Sequence, residues 1–155
     1  REFNMICSGA GAFESLRLEK GYRSLGSDIH TNYNPYESGL GFTVKLKKDD
    51  DFIGKSALQK IKERPVQKKL TCMILEDPEG MALGTEPIYS NGKPVGYVTS
   101  TNYGYFVDKH IVYGYLPSEL SENGTALELE YFGKRYPLKV TQEPLLDPEN
   151  NRLKS

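Results

Sequence analysis

The chain is 155 residues long and carries 20 Lys and Arg against 21 Asp and Glu, for a formal net charge of −1. This length suits one ordinary domain or one and a half small ones, and the balanced charge argues against nucleic acid or anionic lipid as a partner. No apolar run approaches the ~18 residues of a membrane-spanning helix, so no membrane partner is expected.

The first predicted helix spans about residues 11–24, where most residues are good helix formers. Ser8 is its expected N-cap and Gly26 its expected end. Apolar side chains recur at helical spacing and predict one buried face; they are Phe13, Leu16, Leu18, Tyr22 and Leu25. The charged residues then either form a solvated face or are held against a ligand; they are Glu14, Arg17, Glu19, Lys20 and Arg23.

The rest of the N-terminal part offers few elements. Residues 27–42 are rich in Asn, Pro and Gly and predict mostly loop. The alternation over 41–46 predicts a short strand, and 52–64 predicts a second helix that Pro65 ends. Two helices and one strand cannot close a core alone, so we expect residues 1–65 to be the end of a larger α+β domain.

From Val66 onward the pattern changes to about six short strands with turn signals between them. Asn91-Gly92 and Gly133-Lys134 predict two hairpins. The strand at 70–75 is apolar on both faces, so both faces are expected to be covered. This spacing is typical of a small antiparallel barrel or sandwich, followed by a polar tail that wraps around it or frays.

Most catalytic and cofactor motifs are absent from the sequence. There is no Gly-rich dinucleotide loop and no Walker loop. His30 and His110 lack other ligands at metal-binding spacing, and no serine has an evident base. Cys7 and Cys72 lack a partner motif, which favours two reduced thiols. We therefore predict no metal site and no catalytic residue in this chain.

The residue types that remain suit a flat aromatic ligand with anionic arms. Such a ligand needs rings for stacking, an acid to accept ring N–H bonds, and cations for its carboxylates. The candidate residues are Glu14, Arg17, Glu19, Tyr22, Tyr103 and Tyr105.

Ordered sequence blocks resemble a known family. Residues 15–23, Ser-Leu-Arg-Leu-Glu-Lys-Gly-Tyr-Arg, are similar to a motif of the folate-dependent aminomethyltransferases, the glycine-cleavage T-proteins. Further similar blocks lie at residues 26–29, 34–42, 44–46, 51–58, 95–100, 114–117, 136–137 and 142–145. Together they resemble most closely the C-terminal folate-binding region of the dimethylglycine and sarcosine dehydrogenase family.

The resemblance implies an α+β fold. Residues 1–65 would be the incomplete end of a folate-binding domain, 66–148 a six-stranded antiparallel β-barrel, and 149–155 a tail. It also implies tetrahydrofolate as the ligand of the candidate residues and FAD in an N-terminal region of a longer parent. That parent would oxidise an N-methyl amine and pass the one-carbon unit to tetrahydrofolate. This chain alone is then expected to be inactive, with the rest of the parent as its partner, in the mitochondrial matrix of a eukaryote or otherwise in the cytoplasm.

One departure keeps other functions open. The family pattern has Arg, a folate contact, where this chain has Phe13, and Asp where it has Glu14. Loss of that cation is compatible with a non-catalytic scaffold similar to the regulatory subunit of pyruvate dehydrogenase phosphatase; a glycine-cleavage aminomethyltransferase is a further alternative. Arg17 and Glu19 match the family motif and either contact ligand or hold the domain together, while Tyr22 belongs either to the folate pocket or to the core.

Overall fold

The computed structural model describes residue 3 and residues 5–154. Its elements among these residues are, in chain order, α1 (Ala10–Glu19), α2 (Lys55–Lys62), β1 (Lys68–Leu75), β2 (Pro87–Ser90), β3 (Lys93–Gly104), β4 (Lys109–Pro117), β5 (Ala126–Tyr131), β6 (Lys134–Val140) and α3 (Asn151–Lys154). The predicted α+β class is confirmed.

The six strands form a closed barrel in the order β1–β4–β3–β2–β5–β6, and every neighbouring pair is antiparallel. The barrel closes where β6 returns to β1, with Met73 opposite Val140. Closure leaves no unpaired strand edge. The strands therefore form a barrel and not a sandwich.

Side chains of β4 alternate between two separate cores. Val112 and Leu116 point into the barrel, whereas Tyr113 and Tyr115 belong to a cluster on its outer surface. That outer cluster also holds Leu18 of α1, which is fully buried. Strand β1 likewise contributes to both cores, which confirms the prediction that both of its faces are covered. The outer core is where α1 docks.

Two hairpins follow the local turn chemistry. Asn91-Gly92 joins β2 to β3 with φ of 49° and 77°, as a type I′ turn requires. The second turn is Phe132-Gly133, one residue earlier than predicted, because Lys134 already pairs with Tyr131 as the first residue of β6. Glycine thus takes the second central position in both turns, and Phe132 adopts a φ of 48°.

Helix α1 ends earlier than predicted. Gly21 has a φ of 73° and follows the C-cap. Its N–H donates to the carbonyl of Leu18 at 3.1 Å, and the N–H of Tyr22 donates to that of Arg17 at 2.8 Å. These two bonds form a Schellman motif, so the chain leaves the helix five residues before Gly26. At the other end Gly9, and not Ser8, is the N-cap, without a side-chain bond.

The segment after the loop also differs from prediction. The expected strand at 41–46 is wrong, because Gly41–Thr43 forms a single 3-10 turn and the barrel closes without it. Helix α2 is shorter than the predicted 52–64, since Gly54 precedes it with a φ of 91° that an α-helix cannot include. None of the α2 side chains is buried.

The two cysteines are both free, and they are expected to differ sharply in reactivity. Cys7 is exposed, whereas Cys72 is 2% exposed in the outer core, where burial raises the pKa of its thiol to about 12. Because the thiolate is the reactive form, titration with a thiol reagent at pH 8 should modify one cysteine in the folded chain and two after denaturation. Rapid modification of both in the folded chain would contradict this placement of Cys72.

Candidate functional site

The burial of α1 is the reverse of an ordinary amphipathic helix. Arg17 and Glu19 are buried, whereas Phe13, Leu16 and Tyr22 are each more than half exposed. The predicted buried apolar face is thus wrong for most of the stretch, and of the two alternatives for the charged residues a solvated face does not hold for Arg17 and Glu19. The cause is that the outer wall of the barrel offers hydrogen-bonding groups to α1, which its polar side chains satisfy.

Arg17 joins three parts of the chain. Its Nη1 donates to Asp28 Oδ2 at 2.7 Å and to the carbonyl of Tyr22 at 3.2 Å. Its Nη2 donates to Ser100 Oγ on β3 at 2.8 Å, and its Nε donates to Glu14 Oε2 at 2.8 Å. All three guanidinium nitrogens therefore have acceptors inside the protein, and Arg17 ties α1 to the following loop and to the barrel.

Asp28 is the buried counter-charge of Arg17, and it was not among the candidate residues. It is 1% exposed, and besides Arg17 its carboxylate accepts bonds from Thr99 Oγ1 at 2.6 Å and from the N–H of Ser24 at 3.0 Å. Its carbonyl accepts the hydroxyl of Tyr115 at 2.8 Å. Asp28 could have been identified from the sequence, because Asp28 and Thr99 lie in two of the blocks that resemble the family.

Glu19 fixes the turn between β3 and β4. Its carboxylate is fully buried, and Oε1 accepts the N–H groups of Phe106 at 2.7 Å and Val107 at 3.2 Å. Within the described part of the chain, Oε2 has no hydrogen-bond partner. Bonds from N–H groups to a carboxylate are stronger than neutral ones, so Glu19 holds the turn against the end of α1.

Tyr103 and Tyr105 lie at this turn, away from Tyr22. Their rings meet edge to face at 5.2 Å, and Tyr105 is largely exposed. The Tyr103 hydroxyl donates to Asp108, which raises the pKa of Tyr103. The Tyr103 carbonyl accepts Ser15 Oγ at 2.7 Å, which adds a further link to α1. The Tyr103 ring itself lines a separate cleft beside His110.

The tail wraps around the domain. Residues 142–154, here called the C-terminal strap, cross the end of α1. Glu143 pairs with Arg23 and accepts the Tyr113 hydroxyl at 2.7 Å. Farther along, Lys20 pairs with Asp147 at 3.2 Å. Charged contacts therefore hold the strap at Glu143 and at Asp147, and between them the N–H of Leu146 donates to the carbonyl of Glu19.

The strap has a cleft on each side. One, here called the α1 groove, has a volume of about 360 Å³ and is lined by Phe13, Leu16, Arg17, Lys20, Tyr22, Leu146, Asp147, Arg152 and Leu153. The other, of about 600 Å³, lies between Arg23, Phe42 and Pro144. The structure brings Arg17 and Tyr22 together in the α1 groove, and it places Glu14, Glu19, Tyr103 and Tyr105 outside its lining. The strap residues of the groove were not among the candidates.

Among the described residues, no group of three or more His, Cys, Asp or Glu side chains is arranged to hold a metal ion. None of the helices formed by these residues has the length and apolar character needed to cross a bilayer.

The closed barrel with α1 docked on its outer wall defines an aminomethyltransferase fold. The crystal structure of glycine cleavage system aminomethyltransferase T from Bartonella henselae matches 88% of this chain and 38% of its own, with a TM-score of 0.78 and 26% identity. The chain belongs to the glycine cleavage T-protein family: the C-terminal barrel domain of that family matches residues 68–147, and the GCVT N-terminal domain matches residues 1–48.

Curated relatives of the chain include amine dehydrogenases. Mitochondrial dimethylglycine dehydrogenase of Homo sapiens is 43% identical over 147 residues, which cover 94% of this chain and 17% of that protein. Mitochondrial sarcosine dehydrogenase of Mus musculus is 36% identical over 158 residues, covering 97% of this chain and 17% of that protein. The predicted resemblance is confirmed, and the chain spans about a sixth of the length of these relatives.

Proposed function

We propose that this chain is the tetrahydrofolate-binding C-terminal portion of a flavin-dependent N-methyl-amine dehydrogenase that acts on dimethylglycine or sarcosine. Residues 1–65 would complete a folate-binding domain begun upstream, residues 66–148 would be its C-terminal barrel, and 149–155 a tail. The observation that carries the proposal is the α1 groove, which sets aromatic side chains beside cations within the family's sequence motif.

The groove fits the chemistry of a reduced folate. Its size lies within the range of small-molecule pockets, and the rings of Phe13 and Tyr22 offer stacking surfaces to a flat heterocycle. Glu14 lies outside the lining of the groove, but its side chain is 40% exposed and can meet N–H groups of a ligand that extends beyond the groove. Bound tetrahydrofolate would supply the nitrogen nucleophiles that accept the one-carbon unit.

We propose that the remaining candidate residues support the folate site without stacking on the ligand. Arg17 and Glu19 hold α1, the loop and the β3–β4 turn in place through their buried contacts. Tyr103 and Tyr105 would form an outer wall that the upstream part of the polypeptide completes. We place FAD in that upstream part and assign it no residue of this chain. The two relatives are named as mitochondrial proteins, so in a eukaryote we expect the mitochondrial matrix, and otherwise the cytoplasm.

The test of this proposal is one-carbon transfer in the complete polypeptide. With dimethylglycine or sarcosine as substrate, flavin reduction should occur with or without tetrahydrofolate, and 5,10-methylene-tetrahydrofolate should form only when it is present. Tyr22→Ala should weaken folate binding about tenfold through lost stacking. Phe132→Ala, which removes an exposed ring at the β5–β6 turn, is the matched control and should leave binding unchanged.

Absence of methylene-tetrahydrofolate from every N-methylated glycine would contradict the proposal. Absence of flavin as well would favour the scaffold function, because a scaffold carries out neither the oxidation nor the one-carbon transfer.

A further inference from the structure

The C-terminal strap is held against the domain without a buried side chain of its own. None of residues 142–154 is buried, and Leu145 packs only in part against the outer core. The two ion pairs and the backbone bond described above add polar contacts. A segment that buries little apolar surface opens locally at a lower free energy than the core does. The strap is therefore expected to open more readily than the barrel that it crosses.

The point at which the strap leaves the barrel is fixed. The N–H of Thr141 donates to the carbonyl of Cys72 at 2.9 Å, directly after the pairing of Met73 with Val140 that closes the barrel. A chain that is anchored at one end and held by polar contacts beyond it can hinge at the anchor. The hinge of the strap therefore follows Thr141.

The strap covers the thiol of Cys72. Cys72 is 2% exposed and lines a cleft of about 310 Å³ together with Gln142 and Glu143, which begin the strap. Glu143 also accepts the hydroxyl of Tyr113, a neighbour of Cys72 in the outer core. Lifting the strap withdraws Glu143 from this cleft and opens Cys72 to solvent. The native thiol can therefore report the position of the strap.

The strap also divides two clefts that share part of their lining. Lys20 and Tyr22 line both the α1 groove and the cleft of about 600 Å³ on the other side of the strap. Pro144 borders the second cleft, and Leu146 borders the α1 groove. The surface below the strap is thus continuous from one cleft to the other, and the strap itself separates them.

We infer that the strap is a lid: it lifts as one unit from a hinge after Thr141, joins the two clefts into one groove and closes again over the ligand. Opening of the strap does not depend on the proposed function, whereas closure over a reduced folate rests on it. A ligand in the groove contacts strap residues, so it binds the closed form better and shifts the strap toward closure.

The experiment follows alkylation of Cys72 in the complete polypeptide. Iodoacetamide is added at pH 8, and the modified fraction of Cys72 and of Cys7 is measured by mass spectrometry after digestion. Cys72 should react much more slowly than Cys7, because it reacts only while the strap is open. Cys7 is exposed and serves as the internal control for the reagent.

Unit motion of the strap is tested by weakening its far contact. Asp147→Asn removes the ion pair with Lys20 and should accelerate alkylation of Cys72 about three- to tenfold. Asp147 lies outside the lining of the Cys72 cleft, and asparagine tolerates the φ of 46° at this position. Glu128→Gln, which removes an exposed pair with Arg135 on the barrel surface, is the matched control and should leave the rate unchanged.

Amide exchange separates strap opening from unfolding of the barrel. In Asp147→Asn, exchange on β1 and β4 should stay as in the unaltered protein. Equal acceleration of this exchange and of Cys72 alkylation would overturn the inference, because the thiol would then be reached through global unfolding. An unchanged rate of Cys72 alkylation in Asp147→Asn would overturn it as well.

The ligand arm uses 5-formyl-tetrahydrofolate at about ten times its measured dissociation constant. A ligand that binds only under the closed strap should slow alkylation of Cys72 roughly tenfold. Binding without any slowing would overturn the lid and leave the proposed function intact. Failure to bind would contradict the proposed function, whereas faster alkylation in Asp147→Asn would still support opening of the strap as a unit.

Discussion

Replacing Arg17 with Met should lower the free energy of unfolding by about 3–5 kcal/mol, because it leaves the carboxylate of Asp28 buried without its cation. Asp28 is 1% exposed and would keep only Thr99 and the N–H of Ser24 as donors to its carboxylate. Because methionine preserves most of the arginine volume, the decrease in the free energy of unfolding measures the contribution of the charge and its hydrogen bonds. Urea denaturation followed by circular dichroism measures it.

The matched control for this prediction is Arg135→Met. Arg135 pairs with Glu128 and Glu130 at 3.3 Å on the barrel surface, and exposed pairs of this kind contribute up to about 1 kcal/mol. The double variant with Asp28→Ala should lose less than the sum of the two single changes, since each removes the same pair. Equal effects of Arg17→Met and Arg135→Met would show that Arg17 is not held as described.

The barrel was predictable because its signals are local. Turn residues and alternation lie within a few positions of each other, so Asn91-Gly92 and the strands around it were identified from the sequence. The end of α1 was placed at the wrong glycine. Gly21 and Gly26 are both able to end a helix, and both adopt a positive φ in the structure. The choice between them depends on the bonds that Gly21 and Tyr22 return to α1, which composition does not reveal.

The burial of α1 could not be predicted in the same way. Amphipathic analysis assumes that apolar side chains pack inward, yet here the barrel wall binds the polar side of the helix. The partners of Arg17 on β3 and of Glu19 at the β3–β4 turn lie 83 and 87 positions away in sequence. Contacts between residues so far apart in sequence form only when the barrel closes, and they produce no periodic pattern in the helix sequence.

The candidate site was predicted only in part, because some of its residues come together through contacts between distant parts of the sequence. Residue types pointed to Arg17 and Tyr22, which both line the α1 groove. Its other wall comes from Leu146, Arg152 and Leu153, in a tail whose polar composition predicted only wrapping or fraying. The charged contacts Arg23–Glu143 and Lys20–Asp147 bring that tail to α1. Neither pair has a spacing that identifies it from sequence.

Substitution of either close-packed glycine of the β3–β4 ladder by alanine is expected to destabilise the barrel by about 3 kcal/mol, the upper end of the usual cost of overpacking. A Cβ on Gly114 would lie 2.5 Å from the carbonyl oxygen of Tyr97, and one on Gly96 would meet the carbonyl oxygen of Tyr115 even more closely. Tyr97 and Tyr115 are paired across these strands. Relief of the clash would separate the strands and open the barrel, which urea denaturation and amide exchange on β3 and β4 would both detect.

Gly11→Ala is the control that distinguishes the effect of close strand packing from the general effect of replacing a glycine. Gly11 lies inside α1, and a Cβ there would have no neighbour within 4 Å. Alanine should therefore stabilise the chain by about 0.5–1 kcal/mol, since glycine is a poor helix former. The same chemical change thus has opposite signs at the two kinds of site. If Gly96→Ala and Gly114→Ala unfolded at the urea concentration of the unaltered chain, the tight approach of β3 to β4 would be wrong.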